Sequence, residues 1–247
     1  MKNLLLVLLL FPVLFGQDTF KQEQLRFERV RAAYAQKQAT VANLLKKKNL
    51  TAKNLNLYLR AFKQERVLEV WAKQKADSAF QLLTTYPFCG NSGTLGPKRQ
   101  EGDRQIPEGF YYIDRFNPNS NFHLSLGINY PNAADSLRNA GRKLGGDIFL
   151  HGDCVTIGCI ALTDDKIKEV YVLALEAFNQ GQTQIPVHIF PVRFSTSAYG
   201  QLKMQYANSQ ALLRFWENLQ LGYQHFEQKK TVPEVLVNRQ GFYTFSR

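Results

Sequence analysis

The sequence predicts an α+β, predominantly β domain with helices at both ends, on three observations. From Leu55 onward, apolar and polar residues alternate over stretches of strand length. Before Asn49 and after Leu212, apolar residues recur instead every three or four positions. Within the alternating region, Cys89 to Pro107 is crowded with Gly, Ser, Pro, Asn, Asp, Lys and Arg, a loop composition.

The elements follow in chain order. Phe27, Val30, Tyr34, Val41, Leu44 and Leu45 form an apolar stripe that predicts one amphipathic helix over Thr19 to Leu45, ended by Lys46 to Lys48. Leu55, Leu57 and Leu59 open a first strand, Lys63 to Glu65 a turn, and Val67 to Trp71 a second strand. Phe80 to Phe88 makes a third, the pattern of consecutive antiparallel strands. Gly109 to Arg115 and His123 to Tyr130 read as strands, Asp135 to Leu144 as a short helix, and Ile148 to Leu150 as a brief strand entering His151. Thr163, Asp164 and Asp165 are good helix starters before Ile167 to Gln180. Pro186 to Phe194 is a last core strand. Leu212, Phe215, Trp216, Leu219, Tyr223 and Phe226 stripe a C-terminal helix.

Residues 1–16 read as a signal peptide: Lys2, then an apolar run from Leu4 to Phe15, then small Gly16 before polar Gln17 and Asp18. The run is short for a membrane span, and an uncleaved anchor is the alternative. No later segment is apolar enough to span a bilayer. The expected destination is outside the cytoplasm, in the periplasm or cell envelope. The remaining length can bury one substantial core. Net charge is +11 over the chain, and basic residues are scattered rather than arranged in a nucleic-acid-binding pattern, so nucleic acid is not an expected partner. Three cysteines, Cys89, Cys154 and Cys159, are an odd count that leaves at least one unpaired.

Chemistry concentrates in Leu150 to Leu162, LHGDCVTIGCIAL. His151 and Cys159 flank a glycine-punctuated loop between a strand and a helix. A cysteine nucleophile needs a base that takes the thiol proton, and imidazole is suited to that role. Gly158 allows close backbone approach, and the N–H groups of Cys159 and Gly158 are candidate oxyanion donors. The N-terminus of the following helix would favour a thiolate. Two other readings of the same residues stand beside this one. One is a purely structural His and Cys; the other is a zinc site using His151, Cys154 and Cys159, which lacks the usual paired cysteine spacing.

The segment HGDCVTIGC resembles the active-site signature of L,D-transpeptidase (YkuD-type) catalytic domains, in which a His-Gly or His-Ser pair precedes Ser/Thr-x-Gly-Cys. Here these are His151-Gly152 and Thr156-Ile157-Gly158-Cys159. Gly93 to Tyr111, Phe122 to Asp135 and Ile185 to Pro191 are also similar, most of all to the YafK-like subgroup, and the resemblance spans about Leu55 to Phe194. It implies an L,D-transpeptidase-like β-sandwich over 51–194, with a catalytic loop and a flanking helix. An N-terminal amphipathic helical segment over 17–50 and a C-terminal helical extension over 195–247 would border it. The resemblance also implies acyl transfer on peptidoglycan stem peptides through a Cys159 thioester, with His151 as general base and acid and no cofactor or metal. A wall-linked protein is a second implied partner, since some subgroup members act as hydrolases and one type detaches a lipoprotein. The chain departs from the wider family at Ile157, where a His is common, and at Ala161, where an Arg is common.

Further roles are expectations of the same kind. Thr156 supports the loop or bonds near the thiol. Gly152 permits the tight turn after His151. His123 lines the cleft or is a satisfied strand histidine. Lys98, Arg99 and Arg104 meet stem carboxylates or form a solvated loop. Cys154 pairs with Cys89 and leaves Cys159 free. Different classes of function compete with the enzyme: a non-catalytic wall-binding module, and an unrelated secreted cysteine protease.

Overall fold

The structure, a computed structural model, describes residues 19–246; the expected signal peptide lies outside them. Thr19 caps a short helix, α1 (Phe20–Gln24), through a reciprocal side-chain box with Gln22. The chain then breaks and restarts as α2 (Glu28–Lys46). The single helix expected over Thr19 to Leu45 is therefore two. Arg31 donates to the Leu25 and Arg26 carbonyls released at the break.

The strands are β1 (Leu55–Phe62), β2 (Val67–Gln74), β3 (Gln81–Pro87), β4 (Gly109–Asn117), β5 (Ser125–Ile128), β6 (Phe149–His151), β7 (Ile160–Ala161) and β8 (Ile185–Phe190). They form one eight-stranded sheet in the order β3-β2-β1-β8-β4-β5-β6-β7. The β1–β8 and β6–β7 pairs are parallel, and the other neighbours are antiparallel. Helix α3 (Ala133–Arg138) follows β5, α4 (Asp164–Asn179) joins β7 to β8, and α5 (Ser197–Gln205) and α6 (Gln210–Lys229) follow β8. A two-stranded ribbon, β9 (Glu234–Val237) with β10 (Tyr243–Ser246), closes the chain.

The fold is α+β as expected, with the strands in one continuous sheet and helices over both faces. Alternation along β1 and β8 explains the two covers. Leu57, Leu59, Ala61, Val187 and Ile189 join the cluster that includes α2 and α4. Phe62 and Phe190 point the other way, into a cluster with Phe215, Trp216 and Leu219 of α6. The apolar stripe read on α6 thus covers the second sheet face. Helix exceeds strand over the whole chain because the terminal extensions are largely helical.

Three readings need correction. His123 precedes β5 and sits in a turn with φ 66°, so it is not a strand residue. Helix α3 stops at Arg138, well short of Leu144. The extension over 195–247 carries the β9–β10 ribbon as well as helices. Among the described residues no helix is long and apolar enough to cross a membrane.

The long loop from Cys89 to Glu108 is fixed by a buried ion pair. Lys63 Nζ lies 2.9 Å from Glu108 Oε1, and Glu108 is wholly buried. Glu108 also accepts from the Gly96 N–H at 2.7 Å and from the Trp216 indole at 2.7 Å. Lys63 donates to the carbonyls of Gly96 and Ile106. Burial holds the Lys63 ammonium below its ordinary pKa, while Glu108 opposes that shift. Removing one member of such a pair strands the other charge. Glu108→Ala is expected to lower the unfolding free energy by about 3 to 5 kcal/mol, measured by urea denaturation at neutral pH. A loss under 1 kcal/mol would contradict this account.

Candidate active site

Strand β6 is the central positioning element. It lies between β5, paired Ser125 with His151, and β7, paired His151 with Ala161. Because strand residues alternate faces, the β6–β7 register puts His151 and Cys159, one residue before Ile160, on the same face of neighbouring strands.

His151 is 1% exposed. Its Nδ1 contacts the Gly152 carbonyl closely, which requires the proton on Nδ1 and leaves Nε2 as the free acceptor. Burial lowers the imidazole pKa, opposed by the Gly152 carbonyl and Asp153. The Phe122 ring leans over the imidazole at a centroid distance of 4.8 Å.

Cys159 is the free cysteine, partly buried. Its Sγ accepts from the Phe149 N–H at 3.4 Å and donates to the Asp147 carbonyl at 3.7 Å. Burial pushes the thiol pKa up and the Asp147 charge adds to this, while the Phe149 N–H and Lys98 oppose it. Both shifts favour the uncharged forms of the thiol and the imidazole.

Thr156 ties the loop to the thiol residue. Its Oγ1 accepts from the Cys159 N–H at 2.9 Å and the Gly158 N–H at 3.3 Å, and donates to the Cys159 carbonyl at 2.9 Å. Both candidate oxyanion donors are thus engaged by Thr156 in this state. Gly158 has φ 138°, and a Cβ there would lie 3.1 Å from the Gln105 carbonyl, so the long loop rests directly on the residue before Cys159. Gly152 is enclosed differently: a Cβ would lie 2.6 Å from Asp164 Oδ1 and 3.0 Å from the His123 Cβ.

Cys154 and Cys89 form a disulfide. This removes Cys154 from the three-ligand zinc set weighed in the sequence. The helix-dipole contribution expected at Cys159 is also displaced: β7, Leu162 and the Thr163 cap separate the thiol from the first turn of α4. That first turn braces the His151 side instead, where Asp164 Oδ1 accepts from the Asp153 N–H at 2.8 Å.

The remaining residues spread around this centre. His123 lies beside Gly152, its carbonyl accepting from Arg29, its Nδ1 4.0 Å from Asp164 and its buried Nε2 without a partner among the described residues. Lys98 is buried and clipped to Asp103 at 2.6 Å and to the Gln100 carbonyl. It acts on the site through its charge near Cys159. Arg104 is exposed, at φ 57°. The sequence offered no pattern for Phe122, Phe149 or Asp147. Phe122 depends on the turn at His123, and the other two act through a main-chain N–H and a main-chain carbonyl.

The YkuD family model, described as the L,D-transpeptidase catalytic domain, matches residues 57–189. The chain is 37% identical over 183 residues to "Putative L,D-transpeptidase YafK" of Escherichia coli strain K12, covering 73% of this chain and 70% of that protein. Among solved structures, the helical cell shape determining protein Pgp2 of Campylobacter jejuni is 17% identical with a TM-score of 0.44, covering 81% of this chain and 80% of that one. Bd1075 of Bdellovibrio bacteriovorus is 21% identical with a TM-score of 0.42, covering 74% of this chain and 77% of that one.

The upward shift at Cys159 has a pH signature. Alkylation of Cys159 by iodoacetamide should rise with a midpoint above the ordinary thiol range, because burial raises its pKa. A midpoint near that of a free imidazole would instead indicate a preformed thiolate–imidazolium pair.

Proposed function

We infer the activity from one premise: the chain belongs to the L,D-transpeptidase (YkuD-type) catalytic domain family. The members of this family are enzymes, transpeptidases or hydrolases. The reading is acyl transfer on peptidoglycan stem peptides through a Cys159 thioester. The observation that carries it is the free Cys159 on the same sheet face as a tautomer-fixed His151.

In the first step Nε2 of His151 takes the thiol proton as Sγ attacks the substrate carbonyl. The tetrahedral intermediate collapses, the carbon–nitrogen bond breaks, and the leaving amine takes the proton from the imidazolium. The acyl group then sits on Sγ. An incoming amine from another stem attacks the thioester and loses a proton to His151; the carbon–sulfur bond breaks and Sγ recovers the proton from the imidazolium. Phe122 shields the imidazole from water, and Thr156 holds the loop. In this mechanism the substrate oxyanion replaces Thr156 Oγ1 as the acceptor of the Gly158 and Cys159 N–H groups. The site of action is the periplasm or cell envelope, after removal of the leader over 1–16.

A second reading, hydrolysis of the same thioester by water, is favoured by one observation. Ala161, fully buried and paired with His151, stands where many relatives carry an arginine. Its substrates would include a protein linked to the wall.

Cys159→Ala is expected to abolish turnover of purified disaccharide-tetrapeptide and to leave the melting temperature within about 2 °C, followed by mass spectrometry and thermal melting. Undiminished turnover would remove Cys159 from the mechanism. The same assay with and without an added stem amine separates the two readings: a cross-linked product supports transfer, and cleavage that ignores the amine supports hydrolysis.

A further inference from the structure

A second polar cavity, of about 390 Å³, opens between the catalytic core and the C-terminal extension. Arg99 of the long loop, Arg138 of α3 and Arg214 of α6 share its wall with Asp135 and Phe242. Among the described residues, none of these three guanidinium groups has an ion-pair or hydrogen-bond partner. Elsewhere the protein matches its buried cations: Arg60 pairs with Glu69 and Glu227, and Lys63 with Glu108. Asp135 does not fill the gap. It is buried, and its oxygens accept from the Tyr111 hydroxyl and the Asn132 N–H.

Arg138 is the fixed member. Its guanidinium carbon sits 3.7 Å from the centre of the Phe215 ring, against a buried wall. Burial acts against its charge, and so does the neighbouring Arg99, while Tyr243, Asp135 and Tyr111 favour it. A held, partly desolvated guanidinium with no carboxylate in direct contact is well prepared for an oxyanion that can take a forked pair of hydrogen bonds.

The cavity extends toward the loop that packs on Gly158. A groove of about 330 Å³ shares Pro97 and Arg99 with it and continues past Arg142 and Asp103 to Gln105. The Gln105 carbonyl is the group that rests on Gly158, next to Cys159.

We propose that the Arg99–Arg138–Arg214 cavity is a carboxylate-binding subsite that holds a remote acidic group of the stem peptide whose reacting carbonyl lies at Cys159. The proposal rests on the functional reading above. Phosphate shares this chemistry, but a groove that runs from the cavity to Gln105, the residue packed on Gly158, favours a carboxylate carried by the substrate itself. The subsite contributes anchoring, so its loss falls on KM.

The test uses the full exported chain, disaccharide-tetrapeptide, and the same compound with its carboxylates amidated. Arg214→Gln, at an exposed helix position, and Arg138→Lys, which keeps the charge, are compared with wild type after a thermal melt confirms folding. Arg214→Gln should raise KM about tenfold, the size of one lost charge-assisted hydrogen bond. The rate of Cys159 alkylation should stay unchanged. Amidation should raise the wild-type KM by a similar factor, and less in Arg214→Gln. Arg138→Lys should fall between the two. An unchanged KM in Arg214→Gln would overturn the subsite while leaving the thioester chemistry standing. So would a variant that loses only binding to vesicles of anionic phospholipid. Absence of wild-type turnover, with Cys159→Ala as control, would overturn the functional reading and the subsite with it.

Discussion

Glu108 is a carboxylate with no access to water, and the arrangement around the site depends on how it is matched. Lys63 at the end of β1, the Gly96 N–H in the long loop and the Trp216 indole on α6 all converge on it. A buried charge tolerates little displacement of its partners. Three segments far apart in sequence are thereby held in register. The loop so fixed places Gln105 against Gly158, and the Cys89–Cys154 link ties the start of the same loop to the catalytic turn. The Cys159 loop is thus restrained from two directions by residues other than His151 and Cys159.

Burial also sets the electrostatics of the pair. Desolvation raises the thiol pKa and lowers the imidazole pKa, so both shifts favour uncharged groups. The local main chain works in the other direction at sulfur, through the Phe149 N–H.

Much of this was legible in the sequence, for identifiable reasons. Alternation in β1 and β2 is legible because Leu57, Leu59, Leu68 and Val70 line the face toward α2 and α4, while polar Asn56, Arg60 and Glu69 fall on the other. The His151 and Cys159 motif is local and reads directly. The break at Leu25 to Phe27 was hidden because the apolar stripe continues across it, while the main chain is satisfied by Arg31. Strand β7 is two residues long and carries no pattern of its own, yet it sets the register of the site. Helix α5 buries only Tyr199 and Leu202, too few to show a period. Phe122 and the arginine cavity arise from tertiary proximity of distant segments, which no window of sequence contains.

The link between Cys89 and Cys154 has a consequence for how firmly the loop is held. Such bonds persist only where the surroundings are oxidising. A copy still inside a reducing cytosol would hold its long loop by the Glu108 cluster alone, with the catalytic turn unclamped on its other side. The second restraint on the Cys159 loop therefore depends on the redox state of the surroundings, whereas the first does not.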